Sequence, residues 1–436
     1  MIRTAFLLAF GIWLAPSLIP AQVARPQLID QTAANRHGLA RSWFAYVNIG
    51  GGRSPIVDIQ FDAGTLFVQT GIATTHAMDA ETGRTLWVAD VGSPSHPSQR
   101  LGLSESRVAV VNGTTLYVLD RATGQVQFTN SLRGVPSTGA ALSAEAVFVP
   151  TMAAQLETYS IVEDDHRNLA NLRLEGRNLP QPAVSHLGAA IGSDRGDFGL
   201  AALSGMSMLF STPTNFGFVA SPAAWGPRVY AGNAGGLLYL FDDVGGREKW
   251  SFAAGSPITQ SPVPFADAVY VLCEDLRLFR VSAETGREEW MAQNIRSFLA
   301  TSPTKVYAID RFGRLAVLSA KTGALIDRVS IPLFAFPITN NDSDQIILAT
   351  DTGLIQALHE IELTKRISYL PPPPEPPKTE PTAAEADKAK AAEAAAPTEK
   401  PAVEDQPAPR PMPPAENPFG PPTTKPAEEE NPFGGM

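Results

Sequence analysis

The sequence predicts an all-β protein built as a closed ring of eight repeated four-stranded antiparallel sheets, followed by a C-terminal tail without stable structure. Three observations lead to this prediction. A pattern of strand, turn, strand and Asp/Ser-x-x-Thr-Gly recurs along the middle of the chain. The glycines of this pattern are separated by about 40 residues or by a multiple of that number, and one strand-like segment stands alone before the first complete repeat.

The repeats are most regular in five segments, which cover residues 66–87, 108–124, 229–250, 269–290 and 306–323. Each contains two short strands rich in Val, Leu, Tyr and Phe, and three of them continue into a strand that carries Trp. The residues that we expect to anchor the repeats are Asp79, Thr82, Gly83, Trp87, Asp120, Thr123, Gly124, Asp242, Gly246, Trp250, Thr285, Gly286, Trp290, Thr322 and Gly323.

The spacing of the turn glycines predicts the number of sheets. Successive steps between the glycines at 83, 124, 246, 286 and 323 are 41, 122, 40 and 37 residues. Because 122 is close to three times 41, two degenerate repeats are expected between Gly124 and Gly246, at residues 146–161 and 189–205. An eighth repeat at residues 346–358 lacks its Thr-Gly turn and its last strand.

The missing strand of the eighth repeat is predicted at the other end of the chain. Residues 43–47, which begin with Trp43, precede the first repeat and have the composition of a final strand. Pairing of this strand with the repeat at 346–358 would close the ring. No sheet edge would then be left unpaired, whereas an open array would expose the backbone groups of its edges. The prediction is therefore an eight-bladed β-propeller.

The turn and the tryptophan have physical roles in such a ring. In Asp-x-x-Thr-Gly the acidic and hydroxyl side chains accept hydrogen bonds from turn amides, and the glycine adopts a positive φ. The following Trp is expected to bury its ring between neighbouring sheets, with a ligand-stacking role as the alternative. If Trp250 is buried in this way, its replacement by Ala should cost about 3–5 kcal/mol.

Both ends of the chain differ from the repeats. Residues 1–21 contain an apolar stretch at 4–14 followed by small residues, as in a secretory signal peptide; an uncleaved anchor is the alternative. We expect residues 22–42 to be a linker, residues 43–363 the propeller and residues 364–436 a disordered Pro/Ala/Glu-rich tail. Its low apolar content cannot offset the entropy of ordering.

The tail contains one repeated motif, Glu-Asn-Pro-Phe-Gly at 416–420 and 430–434. An Asn-Pro-Phe turn presents its ring outward, so two copies could bind a groove bivalently; chance recurrence in a low-complexity segment is the alternative. The candidate partner-binding residues are Asn417, Pro418, Phe419, Asn431, Pro432 and Phe433.

Composition excludes several kinds of site. Cys273 is the single cysteine, which rules out an intramolecular disulfide and a multi-cysteine metal or redox site. The net charge is −10 and no run of Lys or Arg occurs, so nucleic acid is not an expected partner. The six histidines lack the short spacings of a metal site. We therefore predict no catalytic residues, no cofactor and no metal.

Two polar clusters allow a second interpretation. Asn-Asn-Asp-Ser-Asp at residues 340–344 could be a calcium loop, but its place between Ile338 and Ile346 favours a hairpin turn. Asp-Asp-His at residues 164–166 could coordinate an ion, but a solvated turn is the favoured prediction.

The repeat pattern resembles that of the pyrroloquinoline-quinone-like (PQQ-like) β-propeller family, whose signature is similar to LYALD-x-x-TG-x-x-LW. The resemblance covers residues 43–361 and is clearest at 77–87, 116–124, 238–250 and 279–290. Within the family the chain looks most like the B subunit of the outer-membrane β-barrel assembly machinery, although it lacks a lipobox cysteine. This resemblance implies an extracytoplasmic scaffold that binds its partner through loops and catalyses nothing.

The enzyme branch of the same family gives the competing prediction, a quinoprotein oxidoreductase-like enzyme that uses the central channel. The resemblance weakens there, because the quinoprotein alcohol dehydrogenases are longer and stack their cofactor on a vicinal disulfide that one cysteine cannot form. We therefore predict an exported, non-catalytic, monomeric propeller that acts as a protein-binding or envelope-assembly scaffold. Its expected partner is an envelope protein that contacts loops within residues 146–216, and no membrane span is expected after signal cleavage.

Overall fold

The computed structural model describes residues 28–50, 56–162, 166–177, 179–242, 245–331, 336–363 and 365–369. Over these residues the chain forms eight four-stranded antiparallel sheets and one short helix, which confirms the all-β, eight-bladed propeller. They belong to the first of two compact units, Met1–Pro374 and Glu375–Met436. No helix in the described part of the chain is long and apolar enough to cross a membrane.

Each blade runs from an inner strand beside the channel to an outer strand at the rim. The helix α1 is Gln31–Arg36, and the first strand is β1 (Leu39–Tyr46). Blade 1 contains β2 (Ile56–Asp62), β3 (Thr65–Thr70), β4 (Thr74–Asp79) and β5 (Thr85–Asp90). Blade 2 contains β6 (Gly102–Leu103), β7 (Arg107–Asn112), β8 (Thr115–Asp120) and β9 (Val126–Ser131). Blade 3 contains β10 (Ala141–Leu142), β11 (Ala146–Pro150), β12 (Gln155–Ser160) and β13 (Asn168–Arg173).

The remaining blades follow the same order. Blade 4 contains β14 (Ala183–Val184), β15 (Gly188–Gly192), β16 (Asp197–Ala202) and β17 (Met208–Pro213). Blade 5 contains β18 (Ala223–Trp225), β19 (Arg228–Gly232), β20 (Leu237–Asp242) and β21 (Glu248–Ala253). Blade 6 contains β22 (Val263–Pro264), β23 (Ala268–Leu272), β24 (Leu278–Ser282) and β25 (Glu288–Ala292). Blade 7 contains β26 (Ile295–Thr301), β27 (Lys305–Asp310), β28 (Leu315–Ser319) and β29 (Leu325–Val329). Blade 8 contains β30 (Phe336–Pro337), β31 (Ile346–Ala349), β32 (Leu354–Glu360) and β1.

The core lies between the blades. Every residue of β11 and β23 is buried, because these middle strands are covered on both faces by neighbouring sheets. The outer strand β21 instead alternates between exposed and partly buried residues. The two degenerate repeats form β11–β12 and β15–β16, where the glycine spacing predicts them.

Strand β1 closes the ring, as predicted. It pairs antiparallel with β32, with Trp43 opposite Ala357 and Tyr46 opposite Leu354. The strand begins four residues before residue 43 and follows α1, so the C-terminal part of the expected linker 22–42 is ordered structure instead. The physical reason is a helix cap: the Ala33 amide donates to the Asp30 carboxylate at 2.8 Å.

The Asp-x-x-Thr-Gly turns contain the expected side-chain acceptors. In blade 1, Asp79 Oδ1 accepts hydrogen bonds from the Glu81 amide (3.1 Å), the Thr82 amide (2.7 Å) and the Thr82 hydroxyl (2.7 Å). The Thr82 hydroxyl is the main reason that the pKa of Asp79 lies below its usual range. The Thr123 hydroxyl and amide donate to Asp120 Oδ1 in the same way, and they lower the pKa of Asp120. In blades 6 and 7 serine replaces the aspartate, and the pairs are Thr285 with Ser282 and Thr322 with Ser319.

Tryptophans of the outer strands pack on the glycine turns of the next blade. Trp43 of blade 8 lies against Gly83 of blade 1, where φ is +72° and an added Cβ atom would lie 2.5 Å from the ring. The Trp43 indole also donates to the Ala80 carbonyl oxygen at 2.8 Å. Three more blade pairs share both contacts, namely Trp87 with Gly124 and Arg121, Trp250 with Gly286 and Ala283, and Trp290 with Gly323 and Ala320. Trp87 and Trp290 are buried, whereas Trp250 is only partly buried.

Phenylalanine replaces the tryptophan at two blade contacts. Phe210 packs on Gly246, where an added Cβ atom would lie 2.2 Å from its ring. Phe128 stacks on His166, with ring centroids 3.7 Å apart. His166 therefore fills the place of a turn glycine in blade 3; residues 164–165 of the predicted solvated turn lie outside the described residues.

The contact between blades 7 and 8 uses a hydrogen bond between an aspartate and a histidine instead of a packed tryptophan or phenylalanine. Blade 8 takes its outer strand from the other end of the chain, so it has no Thr-Gly turn on which a tryptophan could pack. The register places Asp327 at the tryptophan position of blade 7, and its carboxylate pairs with His37 at the end of α1. This hydrogen bond holds the pKa of Asp327 below its usual range.

Removal of the closing tryptophan tests the ring closure. We expect Trp43→Ala to lower the free energy of unfolding by about 3–5 kcal/mol, because the ring is buried and its contacts join the two ends of the chain. Tyr46→Ala, on the same strand but 65% exposed, should change it by less than about 0.5 kcal/mol. Urea unfolding measures both values, and equal losses for the two variants would contradict this account of closure.

Candidate protein-binding surface

The up-and-down topology gives the ring two different faces. The Thr-Gly turns and the connections between first and second strands lie on one face, here called the turn face. The hairpins between second and third strands and the connections between blades lie on the other, here called the connector face.

A channel of about 1230 Å³ runs between the inner strands of all eight blades. Asp58 is the buried carboxylate of its wall, and it accepts hydrogen bonds from the Leu101 amide at 3.0 Å and the Gln60 side chain at 2.6 Å. Gln181 donates to the carbonyl oxygens of Leu101 and Ala140, at 2.7 and 2.8 Å. These polar groups are therefore used to join blades 1 to 4.

Exposed apolar side chains gather on the connector face of blades 3 to 5. Val135, Met152, Phe216 and Val219 are each between 50% and 58% exposed, and Met152 and Val219 also line the channel. Together with Arg177 and Arg195 they form a surface that we call the crescent. An apolar group of this kind at a loop-rich mouth is typical of an interaction site.

Backbone contacts join the parts of the crescent. The Met152 amide donates to the Val135 carbonyl oxygen at 2.9 Å, and the Arg177 amide donates to Asp194 Oδ1 at 2.8 Å. Ser137, two residues after Val135, donates its hydroxyl to the Leu179 carbonyl oxygen at 2.9 Å. The loops of blades 2 to 4 therefore lie side by side at the channel mouth.

Local packing forces the crescent side chains outward. The Phe218 side chain is buried and its amide donates to the Ser193 carbonyl oxygen at 2.7 Å, which leaves Phe216 and Val219 on the surface. Gly196, with φ +97°, closes the hairpin that presents Arg195.

Charged side chains of both signs lie at the edge of the crescent. Arg177 and Arg195 are exposed, and neither guanidinium group forms an ion pair with a described residue. Glu175, Asp194 and Asp197 lie on the same loops; Asp194 accepts a hydrogen bond from the Arg177 amide, and Asp197 accepts one from the Glu175 amide. The edge thus presents arginines beside carboxylates, as in the polar rim of an interface.

The oxygen-rich segment at residues 340–344 is a turn, as predicted. Asn340 Oδ1 accepts hydrogen bonds from the amides of Asp342 and Ser343, both at 3.0 Å. Its amide nitrogen donates to the Ser343 hydroxyl and the Gln345 carbonyl oxygen, both at 2.8 Å. The Asn340 side chain is thus engaged by its own turn.

Asp342 in this turn has an unusual environment. Its carboxylate accepts a hydrogen bond from the Ala63 amide of blade 1 at 2.7 Å. Burial raises its pKa to about 6, and the nearby Asp62 carboxylate acts in the same direction, whereas the Ala63 amide, Arg121 and Arg366 lower it.

Other predicted site residues are dispersed or structural. The anchor glycines and tryptophans occupy blade-to-blade contacts. The Cys273 thiol is buried, which raises its pKa to about 11. Within the described ranges no group of three or more His, Cys, Asp or Glu side chains could hold a metal ion. The Asn-Pro-Phe candidates at 417–419 and 431–433 and the signal segment 1–21 lie outside the described residues.

The crescent was not predicted from the sequence. Its apolar residues look like strand-end core residues, and only the loops 146–216 were expected to face a partner; Val135 and Val219 lie just outside that range. The absence of Thr-Gly and Trp from repeats 3 and 4 was the available signal.

Comparison with known proteins then connects this architecture to a family. A family model described as outer membrane protein assembly factor BamB matches residues 32–186 and 183–346, which is most of the chain. The chain belongs to this family. The match confirms the resemblance to PQQ-like propellers of the assembly-machinery type. Among curated proteins the sequence has no match.

Solved structures share the fold of this BamB-family chain. BamB from Moraxella catarrhalis aligns with a TM-score of 0.59 at 15% identity, over 74% of this chain and 99% of that chain. The computationally designed Ika8 protein aligns with a TM-score of 0.58 at 16% identity, over 71% of this chain and 98% of that chain. At these identities the likeness concerns the fold alone.

Replacement of Asp342 tests its burial. A carboxyl group whose pKa is raised on folding binds more protons in the folded state, so its ionisation destabilises the fold as pH rises above about 4. We expect Asp342→Asn to be more stable than the parent protein by about 1–2 kcal/mol at pH 8, with the difference shrinking towards pH 4. Urea unfolding at both pH values measures this, and an unchanged difference between them would contradict it.

Proposed function

We propose that this BamB-family protein is an exported, non-catalytic scaffold of the cell envelope. It binds an envelope protein through the crescent, as a monomer, and takes part in outer membrane protein assembly. The observation that carries the proposal is the crescent itself, an exposed apolar surface with Arg177 and Arg195 exposed at its edge, at the mouth of the channel.

Three further observations support a binding role. The family description names an assembly factor. Two of the blades beneath the crescent, blades 3 and 4, have the repeats that depart most from the common pattern, which is typical of loops that carry a function on a regular frame. In the channel wall, the Asp58 and Gln181 side chains are engaged with backbone groups of neighbouring blades.

The partner expected at the crescent has apolar side chains surrounded by charged groups. Apolar contacts with Met152 and Val219 would supply most of the binding energy, because arginine pairs at a wet rim contribute mainly to association rate and specificity.

A charge placed in the crescent tests the proposal. We expect Met152→Glu with Val219→Glu to weaken partner binding at least about tenfold, because each carboxylate would be desolvated without a cation of its own. The measurement is quantitative capture from solubilised envelopes, followed by titration with the purified partner. Phe312→Glu, at a 68% exposed position on the connector face of blade 7, is the matched control. Binding retained by the double variant would reject the crescent as the site.

A thermal-shift measurement tests the non-catalytic part of the proposal. A quinone ligand with Ca²⁺ at 100 times its dissociation constant would stabilise a binding protein by about 2.7 kcal/mol. We expect no shift in the melting temperature with pyrroloquinoline quinone and Ca²⁺, compared with Ca²⁺ alone. A saturable upward shift would favour the quinoprotein alternative.

A further inference from the structure

A buried carboxylate lies beneath the loop that presents Val135. The Glu157 side chain belongs to β12 and is 1% exposed. Its Oε1 accepts a hydrogen bond from the Gly134 amide at 2.7 Å, and its Oε2 accepts one from the Arg133 amide at 3.1 Å. Residues 132–137, here called the corner loop, belong to the connection between blades 2 and 3. A side chain of blade 3 thus holds the backbone of this loop.

A tyrosine completes the surroundings of the carboxylate. The Tyr159 hydroxyl donates to Glu157 Oε2 at 2.7 Å. Burial and the neighbouring carboxylate raise the pKa of Tyr159 above its usual range, so the hydroxyl keeps the proton that it donates. No Lys, Arg or His among the described residues forms an ion pair with Glu157. Its burial is therefore compensated by these three hydrogen-bond donors.

Backbone contacts continue from the corner loop to Met152. The Met152 amide donates to the Val135 carbonyl oxygen at 2.9 Å, and the Ser137 amide donates to the Pro150 carbonyl oxygen at 3.0 Å. Between these two hydrogen bonds, residues 136 and 151 form an isolated antiparallel bridge. The exposed side chains of Val135 and Met152 are therefore presented by one connected piece of backbone.

We propose that Glu157 is a positioning residue of the crescent, which holds the corner loop against blade 3 so that Val135 and Met152 form a single preformed apolar contact. This inference rests on the proposed function, because it concerns the surface to which a partner would bind. Glu157 is too deeply buried to touch a partner itself. It acts by lowering the entropy that the loop would lose on binding.

The substitution Glu157→Gln tests this role in the full chain. Glutamine has nearly the same size, but it replaces one acceptor oxygen by an NH₂ donor, which cannot accept from a loop amide. We expect amide hydrogen exchange in residues 132–137 and 150–154 to become about a hundredfold faster, equivalent to a loss of about 2.7 kcal/mol from the closed loop. Exchange in β23 of blade 6 should not change. Mass spectrometry of peptides measures both, and an unchanged loop or an equal acceleration in β23 would overturn the proposal.

The matched control is Glu360→Gln. Glu360 is also a buried carboxylate that accepts a tyrosine hydroxyl, from Tyr307, but it ends β32 on the turn face. We expect Glu157→Gln to weaken partner binding about fivefold, because the competent loop would be populated only about a fifth of the time. Glu360→Gln should leave binding unchanged, and an equal loss in both variants would assign the effect to general destabilisation and overturn the proposal.

A disulfide in place of the carboxylate provides a rescue. Pro136→Cys with Thr151→Cys should form a disulfide in the Glu157→Gln chain, because residues 136 and 151 face each other in the bridge and their side chains are close. Oxidation should restore both slow exchange of the corner loop and the parent affinity, and reduction should remove both. Slow exchange with binding still weak would show that the position of the loop is not what the partner recognises.

The crescent variant Met152→Glu with Val219→Glu separates this proposal from the proposed function. If that variant loses binding whereas Glu157→Gln retains it, the crescent stands and the positioning role of Glu157 is rejected. If both variants retain binding, the crescent is rejected as the binding site, and the positioning role is rejected with it.

Discussion

The packing of an outer-strand ring on the turn glycine of the next blade is the contact on which the propeller depends. A four-stranded blade cannot bury its own two faces, so its stability comes from its neighbours. The turn glycine lets the ring of Trp43 approach Gly83 closely, and the indole N–H then finds a backbone carbonyl oxygen at 2.8 Å. Repetition of this contact at five of the eight blade junctions lets most blades support the next one.

Two of the replacements of this contact have different consequences for the surface of the ring. At the seam between blades 7 and 8, a hydrogen bond between Asp327 and His37 replaces the packed tryptophan, because the outer strand of blade 8 comes from the N-terminal part of the chain. In blade 3, Ala170 takes the tryptophan position, and the loops above that blade and its neighbour carry part of the crescent. A change of the residues at one blade contact is thus tolerated where the blades on either side keep the regular contact.

The faces of the ring are suited to different tasks. The connector face presents long connections between blades, whose side chains project from tight hairpins and are free to contact a partner. The turn face presents short turns whose side chains accept hydrogen bonds from amides of the same turn. Residues 365–369 add a further layer on this face through hydrogen bonds to Asp342 and Asp344. In the proposed function, the connector face recognises a partner while the turn face maintains the ring.

The sequence by itself determined the architecture, because the period of the motif, the turn chemistry and the orphan strand at Trp43 are local patterns that repeat. From these alone, eight blades, their closure and the turn at residues 340–344 were predictable. The exposure of the crescent residues and the packing of residues 365–369 were decided only by the tertiary structure. Whether Met152 or Val219 is buried depends on the neighbouring blade, and Tyr369 meets Phe265 only after the ring has brought residues far apart in sequence together.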